Sequence, residues 1–208
     1  MNLVFPRLYA IIDPTLLTTS ELVLAETLAG SGVELIQYRD KTASSRRYFE
    51  TSRQLADVLG PRGVRLIIND RPDVALLSGA AGVHVGQEDL AVEDARTVIG
   101  SGRWVGVSTH TLEQLAAADR TSADYVAFGP IFQTSTKQNP DPVVGTELLL
   151  KARRLTKKPL VAIGGITLDR AAEVYRAGAD SLAVIRDLIC APDPGARARE
   201  YLEVAAST

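Results

Sequence analysis

Eight short apolar runs recur along this chain, and a stretch with helical spacing separates each from the next. The runs are Arg7–Ile12, Val33–Tyr38, Arg65–Ile68, Gly82–Val85, Trp104–Val107, Tyr125–Phe128, Leu160–Ile163 and Ser181–Ile185, all rich in aliphatic residues. Each is short enough for a buried strand, and near-continuous apolar runs suit parallel strands covered on both faces. Helical spacing marks Glu21–Ala29, Ser45–Leu59, Pro72–Leu77, Val92–Ile99, Thr111–Ala118, Gly145–Thr156, Leu168–Ala177 and Pro194–Ala205. Ser20 is placed to cap the first of these, and Thr111 with Gln114 three residues on fits a capping box. Strict alternation implies parallel strands joined by right-handed crossovers.

Eight such units without a Pro/Gly-rich break favour an α/β fold closed into a single (β/α)8 TIM barrel over residues 1–208. That length lies near the lower end for such a barrel, which takes about 200 residues or more. The rival is an open doubly wound sheet, which predicts a glycine-rich phosphate loop after the first strand. The first run ends instead in Ile12-Asp13-Pro14.

A net charge of −2 gives no bulk attraction for nucleic acid, so any anion site must be built locally. The one cysteine, Cys190, can form no internal disulfide, which suits a reducing compartment. Residues 1–6 lack a signal-peptide pattern, and no apolar run approaches the roughly 20 residues of a membrane span. The expectation is a cytoplasmic protein that engages neither membrane nor nucleic acid. A homo-oligomer is compatible with the sequence, which does not fix the number of subunits.

In a barrel, the loops that follow the strands build the active site. Here those segments carry the chemistry. They include Gln37-Tyr38-Arg39-Asp40-Lys41, Asn69-Asp70-Arg71, Gly86-Gln87-Glu88-Asp89, Ser108-Thr109-His110-Thr111, Gly129 to Lys137, Gly164-Gly165 and Arg186-Asp187. Arg39, Lys41 and Lys137 bring three cations to one rim of a net-acidic protein, which points to a polyanionic ligand. The alternative is ordinary surface ion pairing with Asp40 and Asp141. Asp70 and Asp89 follow neighbouring strands about 4.8 Å apart and can reach one ion. Two carboxylates plus substrate phosphate oxygens is a common way to hold Mg²⁺. The competing role for both aspartates is helix capping. Gly164-Gly165 fits close backbone approach to a phosphate or a plain turn, and Thr134 and Thr136 add hydroxyl donors. His84 and His110 have no carboxylate or metal partner by spacing, and structural roles are expected, with His84 filling the barrel interior.

Taken together, these segments resemble the thiamine phosphate synthase family from Leu8 to about Ala191. Gly129-Pro130-Ile131-Phe132 running into Thr134-Ser135-Thr136-Lys137 is the most specific stretch. Gly82 to Asp89 and Gly106 to Thr111 add to it. The resemblance implies a transferase that condenses hydroxymethyl-aminopyrimidine pyrophosphate with a carboxylated thiazole phosphate. Thiamine phosphate, pyrophosphate and CO₂ would be the products. It implies pyrimidine-substrate contacts from Gln37, Tyr38, Arg39, Asp40, Lys41, Asn69, Ser108 and Lys137, with Arg39, Lys41 and Lys137 acting on the leaving pyrophosphate. It implies one Mg²⁺ per subunit on Asp70 and Asp89. Thiazole-phosphate contacts would come from Thr134, Ser135, Thr136, Gly165, Ile185 and Arg186.

Two positions depart from the family pattern. Arg186 stands where the family usually has serine, and it could clamp the thiazole phosphate or turn to Asp187. Gln133 replaces a residue that is often proline. The nearest rival activity is a thiazole tautomerase of the same fold, whose loop after strand six differs. A non-catalytic thiamine-precursor binding protein is the other, and it is expected to lose the metal carboxylates.

Overall fold

The computed structural model describes residues 5–134 and 141–208. Eight parallel strands close into a barrel in sequence order, with the last paired to the first. They are β1 (Leu8–Ile12), β2 (Leu35–Tyr38), β3 (Arg65–Asn69), β4 (Gly82–Val85), β5 (Trp104–Thr109), β6 (Tyr125–Phe128), β7 (Leu160–Ile163) and β8 (Ser181–Val184). The helices between and after them are α1 (Glu21–Gly30), α2 (Ser45–Leu59), α3 (Pro72–Ser78), α4 (Val92–Ile99), α5 (Leu112–Asp119), α6 (Gly145–Leu155), α7 (Leu168–Arg176), α8 (Arg186–Ile189) and α9 (Pro194–Ala206). No helix among the described residues is long and apolar enough to cross a membrane.

Strand side chains alternate between barrel interior and helix layer, so two apolar cores form. Leu8, Ala10, Ile12, Ile36, Leu66 and Ile68 join the outer core beneath the helices. Tyr9, Ile11, Leu35, Ile67, Tyr125 and Val161 fill the inside. Phe5 stacks on Trp104 at 5.3 Å and closes the end where the strands begin. Two strand glycines answer to these aromatics. A Cβ on Gly106 would lie 2.0 Å from the Tyr125 ring, and one on Gly82 would lie 2.3 Å from the Trp104 carbonyl oxygen.

Local signals act largely as expected. The Ser20 side chain accepts from the Val23 N–H, and α2 stops at Leu59 before a short 3₁₀ turn over Gly60–Arg62. Thr111 accepts from the Gln114 N–H, but Gln114 Oε1 takes the His110 N–H at 2.7 Å instead of the cap's own. The box therefore reaches one residue further back and ties helix α5 to the end of β5. Two segments differ from expectation. Ser108 and Thr109 belong to β5 itself, and Arg186-Asp187 opens the short helix α8, not a loop.

Candidate active site

The expected rim is the end of the barrel where the strands finish. At the end of β1, Asp13 is buried and faces Arg39 from the end of β2, with Nη1 to Oδ2 at 2.6 Å. Asp13 Oδ1 also accepts from the Thr15 N–H and hydroxyl at 3.1 and 2.6 Å. Arg39 is thus held by a carboxylate from the neighbouring strand, not by Asp40. Asp13 was not among the expected site residues. Its position, the first residue after a strand on the functional rim, was the available signal.

Lys41, Asp70 and Asp89 meet at one place. Lys41 Nζ forms an ion pair with Asp70, and the Asp89 carboxyl lies close enough to feel both groups. Burial, and then the nearby Asp70 charge, raise the Asp89 carboxyl above its ordinary range, against the pull of the Gly86 N–H. Helix capping, the competing role for both aspartates, is not what they do. Arg71 is the N-cap residue of α3 and Ala91 that of α4, and neither helix has a side-chain cap. Asp89 accepts instead from the Gly86 N–H at 2.7 Å, within its own loop. Asp70 has φ 60°, a left-handed conformation uncommon outside glycine, and its N–H is fixed to the His84 carbonyl at 2.8 Å. Aspartate is one of the few side chains that tolerate this conformation, and strained backbone of this kind clusters at functional sites.

Two adjacent carboxylates fit a divalent cation, whose charge would relieve the repulsion felt at Asp89. The described residues contain no group of three or more His, Cys, Asp or Glu able to hold a metal. Two carboxylates could hold an ion that completes its shell with waters and phosphate oxygens, as Mg²⁺ does.

Below the rim lies a chain of buried polar side chains. Gln37 Nε2 donates to Tyr9 Oη at 2.7 Å, and Tyr9 Oη is 2.9 Å from Tyr125 Oη. His84 Nδ1 is 3.1 Å from Tyr125 Oη, and its Nε2 is 2.8 Å from Ser108 Oγ. His84 thus fills the barrel interior, and burial pushes its pKa down to about 4. Gln87 Nε2 donates to the Ser108 carbonyl at 2.6 Å, tying the β4 loop to β5. Asn69 ends β3 beside this chain, its backbone bracketed by the Tyr48 hydroxyl.

Two expected ligands point elsewhere. Tyr38 follows Gln37 on the same strand, so alternation sends its side chain out of the barrel. It is fully buried in the outer core and stacks on Tyr48 of α2 with ring centroids 5.1 Å apart. Its side chain faces the helix layer, which leaves its backbone to meet a ligand at the mouth. Asp40 closes its own loop, accepting from the Thr42 N–H and hydroxyl and from the Ala43 N–H. Those donors hold its carboxyl below its ordinary range despite partial burial. Its Oδ1 thus closes the turn, while Oδ2 takes only a long contact of 3.4 Å from the Tyr38 hydroxyl.

On the opposite side, the loop after β6 packs on the loop after β7. Phe132 N–H donates to the Gly164 carbonyl at 2.9 Å, and a Cβ on Gly165 would lie 2.4 Å from the Gln133 carbonyl oxygen. With φ of 100° and 62°, Gly164 and Gly165 are required by this close packing whether or not a phosphate is bound. Thr134 is the last described residue of the first loop; Ser135, Thr136 and Lys137 lie outside the described residues. Ile185 precedes α8 and Arg186 begins it, exposed. Asp187 is taken by Tyr201 Oη at 2.7 Å and Arg197 at 3.1 Å. Arg186 therefore does not turn to Asp187. His110 does have a carboxylate neighbour, contrary to expectation. Its Nε2 lies 3.4 Å from Asp141, and its Nδ1 2.6 Å from the Gly129 carbonyl. Sequence distance hid this contact, since the whole β6 segment intervenes.

Residues 8–188 match the thiamine monophosphate synthase family. A thiamine-phosphate synthase of Koribacter versatilis is 50% identical over 210 residues, covering 98% of this chain and 97% of the relative. One from Chloroflexus aurantiacus is 43% identical, covering 93% of this chain and 90% of the relative. Among solved structures, a thiamine phosphate pyrophosphorylase from Pyrococcus furiosus superposes with a TM-score of 0.88 at 33% identity, over 97% of this chain and 96% of that one. The chain belongs to the thiamine monophosphate synthase family.

Proposed function

We infer that this chain joins hydroxymethyl-aminopyrimidine pyrophosphate to a carboxylated thiazole phosphate, releasing pyrophosphate and CO₂ and leaving thiamine phosphate. The observation that carries the reading is the meeting of Lys41, Asp70 and Asp89 on one rim, with Arg39 on the neighbouring strand. Near-full-length relatives bearing the thiamine-phosphate synthase name support it.

The chemistry breaks the C–O bond to pyrophosphate, forms one C–N bond, and breaks the C–C bond that holds the thiazole carboxylate. The electron-rich aminopyrimidine can carry a methylene cation, so pyrophosphate can leave before the thiazole nitrogen attacks. Loss of the thiazole carboxylate as CO₂ then restores the aromatic ring. No protein nucleophile is required. Asp70 and Asp89 would hold Mg²⁺, and the ion would supply positive charge to the departing diphosphate. Arg39, Lys41 and Lys137 supply further positive charge where negative charge develops. Gln37, Asn69 and Ser108 hold the pyrimidine substrate. Thr134, Ser135, Thr136, Gly165 and the Ile185-Arg186 segment receive the thiazole phosphate, with Arg186 available as an added cation. The remaining task of the fold is to align both partners and keep water from the cation. A cytoplasmic setting fits a chain with a single, unpaired cysteine.

The test is a two-substrate assay with and without a chelator. The expected result is stoichiometric thiamine phosphate and pyrophosphate, abolished by chelation and restored by Mg²⁺. Isomerisation of the thiazole without pyrophosphate release would instead identify a tautomerase. Tight binding without product would identify a binding protein.

A further inference from the structure

The buried chain Gln37–Tyr9–Tyr125–His84–Ser108 joins two groups that the proposed function gives to the pyrimidine substrate, and nothing in that function uses its middle. Tyr9, Tyr125 and His84 are 1%, 0% and 6% exposed, so each polar hydrogen among them must find its acceptor within the chain. That requirement limits how the protons can be arranged.

With Gln37 Nε2 turned to Tyr9, as the 2.7 Å contact has it, Tyr9 Oη accepts. Its own proton then has one partner, Tyr125 Oη, and the Tyr125 proton has one partner, His84 Nδ1. A neutral imidazole that accepts at Nδ1 carries its hydrogen on Nε2, which donates to Ser108 Oγ. The Ser108 hydroxyl hydrogen is thereby released toward the half-buried mouth of the barrel, and so is Gln37 Oε1. If His84 carried a hydrogen on Nδ1, Tyr125 would have to donate to Tyr9. The Tyr9 proton would then be stranded in the core unless the Gln37 amide turned over. The two ends of the chain are therefore locked together. Either Gln37 offers an acceptor and Ser108 a donor, or Gln37 offers donors and Ser108 an acceptor.

We propose that Tyr9, Tyr125 and His84 are positioning residues that fix this polarity, presenting an acceptor at Gln37 and a donor at Ser108 so that the mouth selects a ligand with an amine at one end and an anionic oxygen at the other. The inference rests on the function proposed above, because an aminopyrimidine diphosphate has that pattern. A 4-oxo pyrimidine, with an acceptor in place of the amine, would meet Gln37 Oε1 lone pair to lone pair. Gly106 belongs to the same device, since any side chain there would displace the Tyr125 ring.

The first measurement is the tautomer of His84 by ¹⁵N NMR of the uniformly labelled, ligand-free protein, assigned by comparison with His84→Gln. The Nε2–H form is expected; the Nδ1–H form would overturn the proposal. Because no substrate is present, this outcome is independent of whether the condensation reaction is the right one. The second is the ratio of kcat/KM for the 4-amino and 4-oxo pyrimidine diphosphates in the wild type and in Tyr9→Phe. Loss of the Tyr9 hydroxyl frees the Gln37 amide to turn. The wild type should prefer the amine by roughly 100-fold, and Tyr9→Phe should lower that preference about tenfold, mainly through KM. A variant that loses activity on both substrates equally, with its preference intact, would overturn the proposal. Tyr125→Phe cuts the chain one link further on and should relax the same preference. An unchanged ratio in both variants, with folded protein, would also defeat it.

Discussion

Asp13 and Arg39 face each other at 2.6 Å across the ends of β1 and β2, with the Asp13 side chain only 5% exposed and that of Arg39 22%. The pairing sets how the cation can serve a diphosphate. Arg39 arrives already oriented, with one nitrogen committed to Asp13 and the others of its fork available. It also makes Asp13 dependent on Arg39, because a buried carboxylate without its cation keeps the full desolvation penalty. Arg39→Ala is therefore expected to lower both stability, by about 2–4 kcal/mol in urea unfolding, and affinity for the pyrimidine substrate. Asp13→Asn should retain most of the fold while loosening the guanidinium, raising KM more than it lowers stability. An Arg39→Ala variant with unchanged unfolding midpoint would mean that Asp13 is held by Thr15 alone.

The neighbouring carboxylates carry an opposite balance of stability and function. Burial and the Asp70 charge raise Asp89 above its ordinary range, so the folded chain binds that proton more tightly than the unfolded one. The sign follows directly. Stability from this group is complete below the unfolded carboxylate pKa and is lost as pH rises through the raised value, so at neutral pH the ionised Asp89 costs stability. Without metal, Asp89→Asn should unfold at a higher midpoint than the wild type at pH 7, and the gap should close in acid. With Mg²⁺ added the order should reverse, because only the wild type gains a ligand that binds the folded state. Thermal unfolding of both proteins with and without Mg²⁺ checks this, and equal Mg²⁺ shifts in the two would remove Asp89 from the metal site.

His84 gives the converse pH dependence. Its folded pKa, pushed down to about 4 by burial, lies below the ordinary 6.5. The unfolded chain therefore takes up the proton first as pH falls. The stabilising contribution is fully present above about pH 6.5 and is lost between there and pH 4, amounting to about 3 kcal/mol across the window. Comparing urea unfolding of the wild type and His84→Gln at pH 7.5 and 4.5 isolates this share from that of the carboxylates. The wild type should lose more over the interval, and parallel pH profiles would show that His84 titrates normally.

These cases mark where the sequence was legible and where it was not. Alternation of apolar runs with helical stretches was enough for the closed barrel, because the strands are buried on both faces and several helices announce a cap, as Ser20 and Thr111 do, or a glycine stop. The placement of Asp70, Asp89, Arg39 and Lys41 at one rim was legible because strand-end loops are short and polar. What escaped was side-chain direction and long-range pairing. Tyr38 sits inside the motif that carries Gln37 and Arg39, yet the two-residue period of a strand turns it toward Tyr48. Asp13 and Arg39 are far apart in sequence and adjacent only because β1 and β2 pair. Tyr9, His84 and Tyr125 read as ordinary core, since nothing in a local pattern reveals that three interior polar groups from different strands will touch. Arg186 looked like a loop residue because a four-residue helix is too short to leave a periodic trace.

Gly106 offers the sharpest test of how the interior is packed. Glycine in a strand normally weakens it, and β5 accepts that loss because the space where a Cβ would sit is filled by the Tyr125 ring, 2.0 Å from the ideal Cβ position. Gly106→Ala must push the ring aside, and the ring is hemmed in by Phe5, Trp104, Tyr9 and His84. Overpacking of this kind is expected to cost about 1–3 kcal/mol, with the Tyr125 hydroxyl drawn away from its partners as well. Gly106→Ala combined with Tyr125→Phe should recover little, because removing the hydroxyl at 2.3 Å leaves the ring carbons at 2.0 and 2.4 Å in place, whereas Gly106→Ala with Tyr125→Leu should recover much of the loss. Urea unfolding of the two double variants distinguishes steric conflict from a lost hydrogen bond: recovery by phenylalanine rather than leucine would show that the hydroxyl, not the ring, sets the need for glycine at 106.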